Sequence, residues 1–508
     1  MSRGKTRLAR LSVPLLPALL ALAGPVPAQG LVRDIHAVPQ PNPDSSPDGM
    51  LTVGNVVYFA AATAQHGMEL WRSDGSVPGT WMVKDIYPGS TGGGAGDLTW
   101  RALDGHLYFR AADPVHGIEL WKSNGTEAGT VLVKDLVTGS GGGQPQELTV
   151  SGSFLYFSAS DPAGGGRELW RSDGTSAGTF VVRDIRPGSA GSDPGHLTAF
   201  AGWLYCSADD GVTGRELWRS DGSLANTVQV MDIRMGSAGS NPTWLTAAPG
   251  AEYPGVFFAA DNGTSGVELW RTAGIVFGAT LVRDISPGSG SSFPSGLTVL
   301  GDSVFFSART PETGAELWRS SGHPLTTYLV KDIEQGTGHG APAFLLANPA
   351  GGYVFFVAWT SATGHEPWRT TGTTVGTVLL RDVEPGPDGS SPIPLGVDPS
   401  GGTWFRATQS ATGEEPWRST APGFGTTIVR DVLPGTADSA PRGLGLLNGI
   451  AFFGAADGTH GRELWRSNGT AGGTLLFHDL NPTAPTLSSA RRRSSAWTGS
   501  PTSRPTTG

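Results

Sequence analysis

The sequence predicts an all-β protein, a β-propeller of about nine four-stranded blades. Three observations carry that prediction. The tryptophan of an E-L-W-R or E-P-W-R tetrad recurs at Trp71, Trp121, Trp170, Trp218, Trp270, Trp318, Trp368, Trp417 and Trp465, with gaps of 48–52 residues. The 76 glycines and 38 prolines fall on the same period, which separates a turn-rich repeat from a low-complexity chain. No ten-residue stretch free of Gly and Pro shows a 3.6-residue apolar period, so helices are not expected.

Taken in order, the chain opens with a leader. Arg3, Lys5, Arg7 and Arg10 precede an apolar stretch over residues 11–26, and Val26 and Ala28 are the small residues of a cleavage site. Residues 1–28 therefore read as a signal peptide cut near Ala28, which predicts a secreted, periplasmic or cell-surface protein. No apolar run reaches about 18 residues, so no membrane insertion is expected. Residues 29–480 form the repeat domain. Residues 481–508, with Arg491, Arg492 and Arg493, are polar and low in complexity and read as a disordered tail.

Each repeat offers four segments of strand length. In the second they are LTWR from Leu98, LYFRA from Leu107, ELWKS from Glu119 and TVLVKDL from Thr130. D-G, D-x-x-x-G and D-G-T-x-x-G separate them, and these are hairpin turn signals. Adjacent Leu70 and Trp71 point to opposite faces of one strand. A sheet apolar on both faces must be covered on both, as a blade is by its neighbours. A two-layer sandwich would leave one face polar. Nine blades exceeds the usual range of about four to eight, and Leu31-Val32-Arg33-Asp34-Ile35 is a tenth copy of the fourth segment. An open or split β-repeat array is therefore the alternative.

Glu119-Leu120-Trp121-Lys122-Ser123-Asn124-Gly125-Thr126 and its eight siblings resemble the family named for its ELWxxDGT repeat. The resemblance covers residues 31–480. It implies an exported bacterial repeat protein of propeller-like fold with no assigned activity. The D-G-T turn is also similar to the Asp-box of sialidase-like propellers, which implies a folding role for it.

Charge and cysteine narrow the function. Without leader and tail the body carries 27 basic and 44 acidic side chains, a formal charge of −17, so nucleic acid is excluded as a partner. The single Cys206 forms no intrachain disulfide. The tetrad glutamates, Glu69 to Glu463, and the Asp of each K/R-D-I segment recur in every unit, and nine identical copies cannot all be catalytic. A ladder of ion pairs and hydrogen bonds tying strands three and four is expected of them. His66, His116 and His460 precede a loop glycine in units one, two and nine. They are the weak candidates for a metal, and the expectation is turn histidines with no metal and no cofactor.

The D-G-T turn departs from consensus in units four to six, where Leu224, Val276, Phe277 and Leu325 are apolar turn residues and candidates for a ligand contact on the rim. Trp203, Trp244, Trp359 and Trp404 align with strands and are assigned to the core rather than to sugar stacking. An enzyme would show an acid or histidine near the axis at a position that is small or apolar in other units, and no such cluster stands out. The expected function is therefore a monomeric, non-catalytic binding or scaffold module for an unidentified protein or glycan. The alternative is an exported carbohydrate-active enzyme, a hydrolase or lyase, on the same scaffold.

Overall fold

The computed structural model describes residues 44–482 except 102–103, 275–277 and 421–424. The expected signal peptide, the tenth segment at 31–35 and all but the first two residues of the tail lie outside them. The described residues form 36 strands and one 3-10 turn, Pro324–Thr326, with no α-helix. The strands make nine sheets of four, each a meander of consecutive antiparallel strands.

The first strand of every sheet packs against the first strands of its two neighbours, and Arg442–Leu447 of blade nine meets Asp48–Val53 of blade one. The ring is closed. Nine blades surround one axis, and the open or split array is ruled out. The first strands line the central channel: Asp48–Val53, Gly96–Arg101, Gln146–Ser151, Gly195–Phe200, Thr243–Ala248, Ser295–Leu300, Ala343–Asn348, Ile393–Val397 and Arg442–Leu447.

Packing follows from the two-faced strands. Leu70 of blade one sits in a cluster with Leu107, Phe109 and Trp121 of blade two. Trp71 lies on the other side of its sheet, with Leu447, Phe452 and Leu464 of blade nine. The pattern repeats at all nine blade interfaces. The tetrad tryptophans are at most 8% exposed. At about 25 cal/mol per Å², burying an indole of roughly 200 Å² contributes on the order of 5 kcal/mol before entropy is subtracted.

The tetrad glutamates depart from the expected ladder. All nine are fully buried, and their partners are backbone N–H groups of the connection leaving strand four. Glu119 Oε1 accepts from Val137 N at 3.3 Å and Gly143 N at 2.8 Å. Where a serine is available it adds its hydroxyl, as Ser390 Oγ does to Glu366 Oε2 at 2.6 Å. A buried carboxylate satisfies orphaned amides better than it pairs with a long, solvent-seeking cation. The basic residue of strand four reaches the next blade instead: Lys84 Nζ donates to Thr130 O at 2.9 Å and Lys331 Nζ to Thr377 O at 2.9 Å.

The seam uses the same grammar. Ser45, ahead of the first strand, donates Oγ to Glu463 Oε2 at 2.6 Å and N to Glu463 Oε1 at 3.0 Å. Ala62 N then bonds to Ser45 O at 2.7 Å. The N-terminal segment thus stands in for the connection that blade nine lacks, and blade nine keeps its own fourth strand, Leu475–His478. In blades seven and eight, Pro367 and Pro416 replace the tetrad leucine. A proline contributes no N–H to the ladder, and the partner strands shrink to Val378–Leu379 and Thr426–Ile428.

Candidate functional site at the mouth of the axial channel

All nine inner strands carry a register shift near their start, and in eight of them two residues stand against one. In blade three, Tyr156 faces Thr149 and Ser158 faces Gln146, so Glu147 and Leu148 together oppose Phe157 alone. Where backbone angles are given, the first bulged residue is left-handed. Glycine, free of Cβ, takes it in blades one, six and nine, as Gly49 (φ 63°), Gly296 (φ 65°) and Gly443 (φ 63°). Four larger residues hold the same conformation: Glu147 (φ 56°), His196 (φ 56°), Trp244 (φ 57°) and Phe344 (φ 53°). A left-handed residue bearing a side chain costs about 1–2 kcal/mol. Asp97 occupies this register in blade two.

This is the non-repeating axial position that sequence reading did not find. Glu147 and His196 stand on adjacent inner strands, both exposed. Leu197 N donates to Glu147 Oε2 at 2.9 Å, which lays the carboxylate against the strand that carries His196. Threonines two residues further on brace the row. Thr198 Oγ1 shares its one proton between His196 O at 3.1 Å and Leu245 O of the next blade at 2.9 Å. Thr246 Oγ1 holds Trp244 O at 2.9 Å, and Thr298 Oγ1 reaches Leu345 O at 2.9 Å.

Trp244 is 48% exposed and Phe344 55%. With Gly296 between them they line a cavity of about 390 Å³ that also involves Leu297, Thr298 and Pro342. The assignment of Trp244 to the core is therefore corrected, because the bulge breaks the alternation that would have turned it inward. Trp404 is buried as expected. Further round the mouth, Arg406 and Arg442 line a cavity of about 310 Å³ with Asp48 and Leu395. Arg406 pairs with Glu414 at 3.2 Å, and burial pushes the Glu414 carboxyl above its ordinary range.

The other candidates fall elsewhere. Leu224 and Leu325 are exposed in turns between strands three and four, while Val276 and Phe277 lie outside the described residues. His66, His116 and His460 occupy equivalent loops of three consecutive blades, and each is held by an aspartate of its own blade. Nδ1 lies 2.8 Å from Asp85 in His66, 2.8 Å from Asp113 in His116 and 2.7 Å from Asp457 in His460. The bond to the aspartate raises the pKa of His116 and His460. Among the described residues no group of three or more His, Cys, Asp or Glu side chains has metal-holding geometry.

Fold and mouth define a nine-bladed β-propeller with a non-repeating axial site. No family model and no curated protein matches the chain. Among solved structures it is similar to a prolyl endopeptidase (11% identity, TM-score 0.41, covering 72% of this chain and 54% of that one). A puromycin hydrolase matches at 15% identity and TM-score 0.37, over 71% of this chain and 58% of that one. A puromycin-hydrolyzing peptidase of Mycobacterium tuberculosis matches at 13% and 0.39, over 71% and 57%. The chain spans a little over half the length of these structures. All three are hydrolytic enzymes by name, which runs against the expectation of a non-catalytic binding module, and at these identities the likeness is one of fold.

Proposed function

We propose that the chain is an exported carbohydrate-active enzyme, a hydrolase or lyase, whose reacting groups are Glu147 and His196. One observation carries the reading. An acid and an imidazole stand side by side on channel-lining strands, in a conformation that glycine adopts in three other blades. Such strain is retained where the side chain has a task. A carboxylate and an imidazole differ in proton affinity, so one takes a proton from water or substrate while the other protonates the leaving oxygen. The exposed aromatic side chains on the same register supply faces for sugar rings. The basic leader supports export, and the nine tetrads support membership of the ELWxxDGT-repeat family.

The test is a screen of the mature protein against a panel of polysaccharides, with peptides as the comparison. Cleavage of one glycan is expected, with kcat falling about a hundredfold or more in both Glu147→Gln and His196→Ala. Cleavage of peptides alone, or full activity in both variants, would refute the reading.

A further inference from the structure

The cavity between Trp244 and Phe344 asks for an occupant. Two large aromatics are left half exposed in a chain that buries its tetrad tryptophans. Both are held at positive φ, one on each side of Gly296, whose missing side chain leaves the floor open. An added Cβ there would meet nothing closer than Leu345 Cδ1 at 3.5 Å, so the floor has room that the chain does not fill. The slot's Trp244, Gly296 and Phe344 share one register of successive inner strands with the acid and histidine. Its lining is mostly apolar, and the hydroxyl of Thr298 is already engaged by Leu345 O.

We propose that this slot is a subsite for one pyranose ring whose substituents are all equatorial, seated between Trp244 and Phe344 above Gly296. The assignment rests on the carbohydrate reading of the same mouth. A ring flanked by aromatics on both sides must present C–H groups on both faces. A glucose-type ring does so, because its hydroxyls lie in the ring plane. A galactose-type ring turns one hydroxyl toward an aromatic face and leaves it without a hydrogen-bond partner, a desolvation that is costly in an apolar slot. The cavity, about 390 Å³, falls at the small end of the ligand-site range.

The experiment uses the mature chain carrying Glu147→Gln, so that binding is read without turnover, by tryptophan fluorescence and calorimetry. The probes are cello-oligosaccharides and β-1,4-galacto-oligosaccharides. Cello-oligosaccharides are expected to bind, and the galacto series to bind about tenfold more weakly or not at all. Adding Trp244→Ala, Phe344→Ala or Gly296→Leu should weaken cello-oligosaccharide binding by about tenfold. Gly296→Leu is informative because five larger residues already occupy that register in other blades, so the fold accepts a side chain there. Equal binding of the two series, binding untouched by all three variants, or no binding of either series would each overturn the subsite. Cello-oligosaccharide binding lost in the slot variants, with no glycan cleaved by the wild type, would sink the enzymatic reading and leave the subsite standing. Glycan cleavage by a wild type whose slot variants bind normally would do the reverse.

Discussion

At the scale of single residues, the informative positions are those where a costly conformation is kept. Glycine is the residue that the inner-strand bulge favours, and Phe344 sits there instead, more than half exposed. Phe344→Gly should therefore stabilise the ring by about 1 kcal/mol while it removes one wall of the axial slot. Thermal unfolding checks it, and a lower melting temperature would show that the ring contributes packing that outweighs the backbone cost. The buried tryptophans behave in the opposite sense. Trp170 is 2% exposed and its Nε1 donates to Ala159 O at 3.1 Å, so Trp170→Ala should cost about 3–5 kcal/mol in denaturant titration.

At the scale of strands and turns, most of the architecture was legible because the Glu-x-Trp core of the tetrad was stated nine times. Adjacent apolar residues such as Tyr108 and Phe109 identified two-faced strands, and both are fully buried. The aspartates expected to form turns do so: Asp113 Oδ1 accepts from Val115 N at 2.8 Å and His116 N at 2.7 Å. The axial site was not legible, for a physical reason. A bulge sets two residues against one and shifts the alternation, so Trp244 reads as a strand residue turned inward when it is turned out. Its signal lay in a failure to repeat, with Gly49, Gly296 and Gly443 alternating with Glu147, His196 and Phe344 at one register. The backbone partners of the buried glutamates were equally hidden, since no residue type announces an amide. The seam is also written at this scale. Ser45→Ala removes a hydroxyl from a fully buried carboxylate and should cost about 1–3 kcal/mol. Ser192→Ala, the same change inside the ring at Glu168, is its control, and comparable losses for the two would mean that the seam is no weaker than any other junction.

At the scale of the whole molecule, nine buried carboxylates make the ring sensitive to pH. Burial pushes Glu69, Glu119, Glu316, Glu415 and Glu463 up to about 7, and raises the other four as well. The folded ring therefore holds protons that an unfolded chain releases near a pH of about 4.3. Stability from this source is fully present below that value and is lost as pH rises toward about 7. Turn aspartates act in the opposite direction at lower pH, because hydrogen bonds hold Asp74, Asp113, Asp221 and Asp457 below their ordinary range. The melting temperature should accordingly be higher at pH 5.5 than at pH 8, with protons released on unfolding near pH 6. A melting temperature that climbs steadily from pH 5.5 to 8 would contradict this. Finally, among the described residues each blade is made from one consecutive stretch of chain, and no strand is exchanged where the ring meets itself. Any of the eight internal junctions is thus equivalent to the natural one. New termini could be cut at another junction and the old ends joined, and a gene that gained or lost one repeat would still encode complete sheets, changing only the girth of the channel.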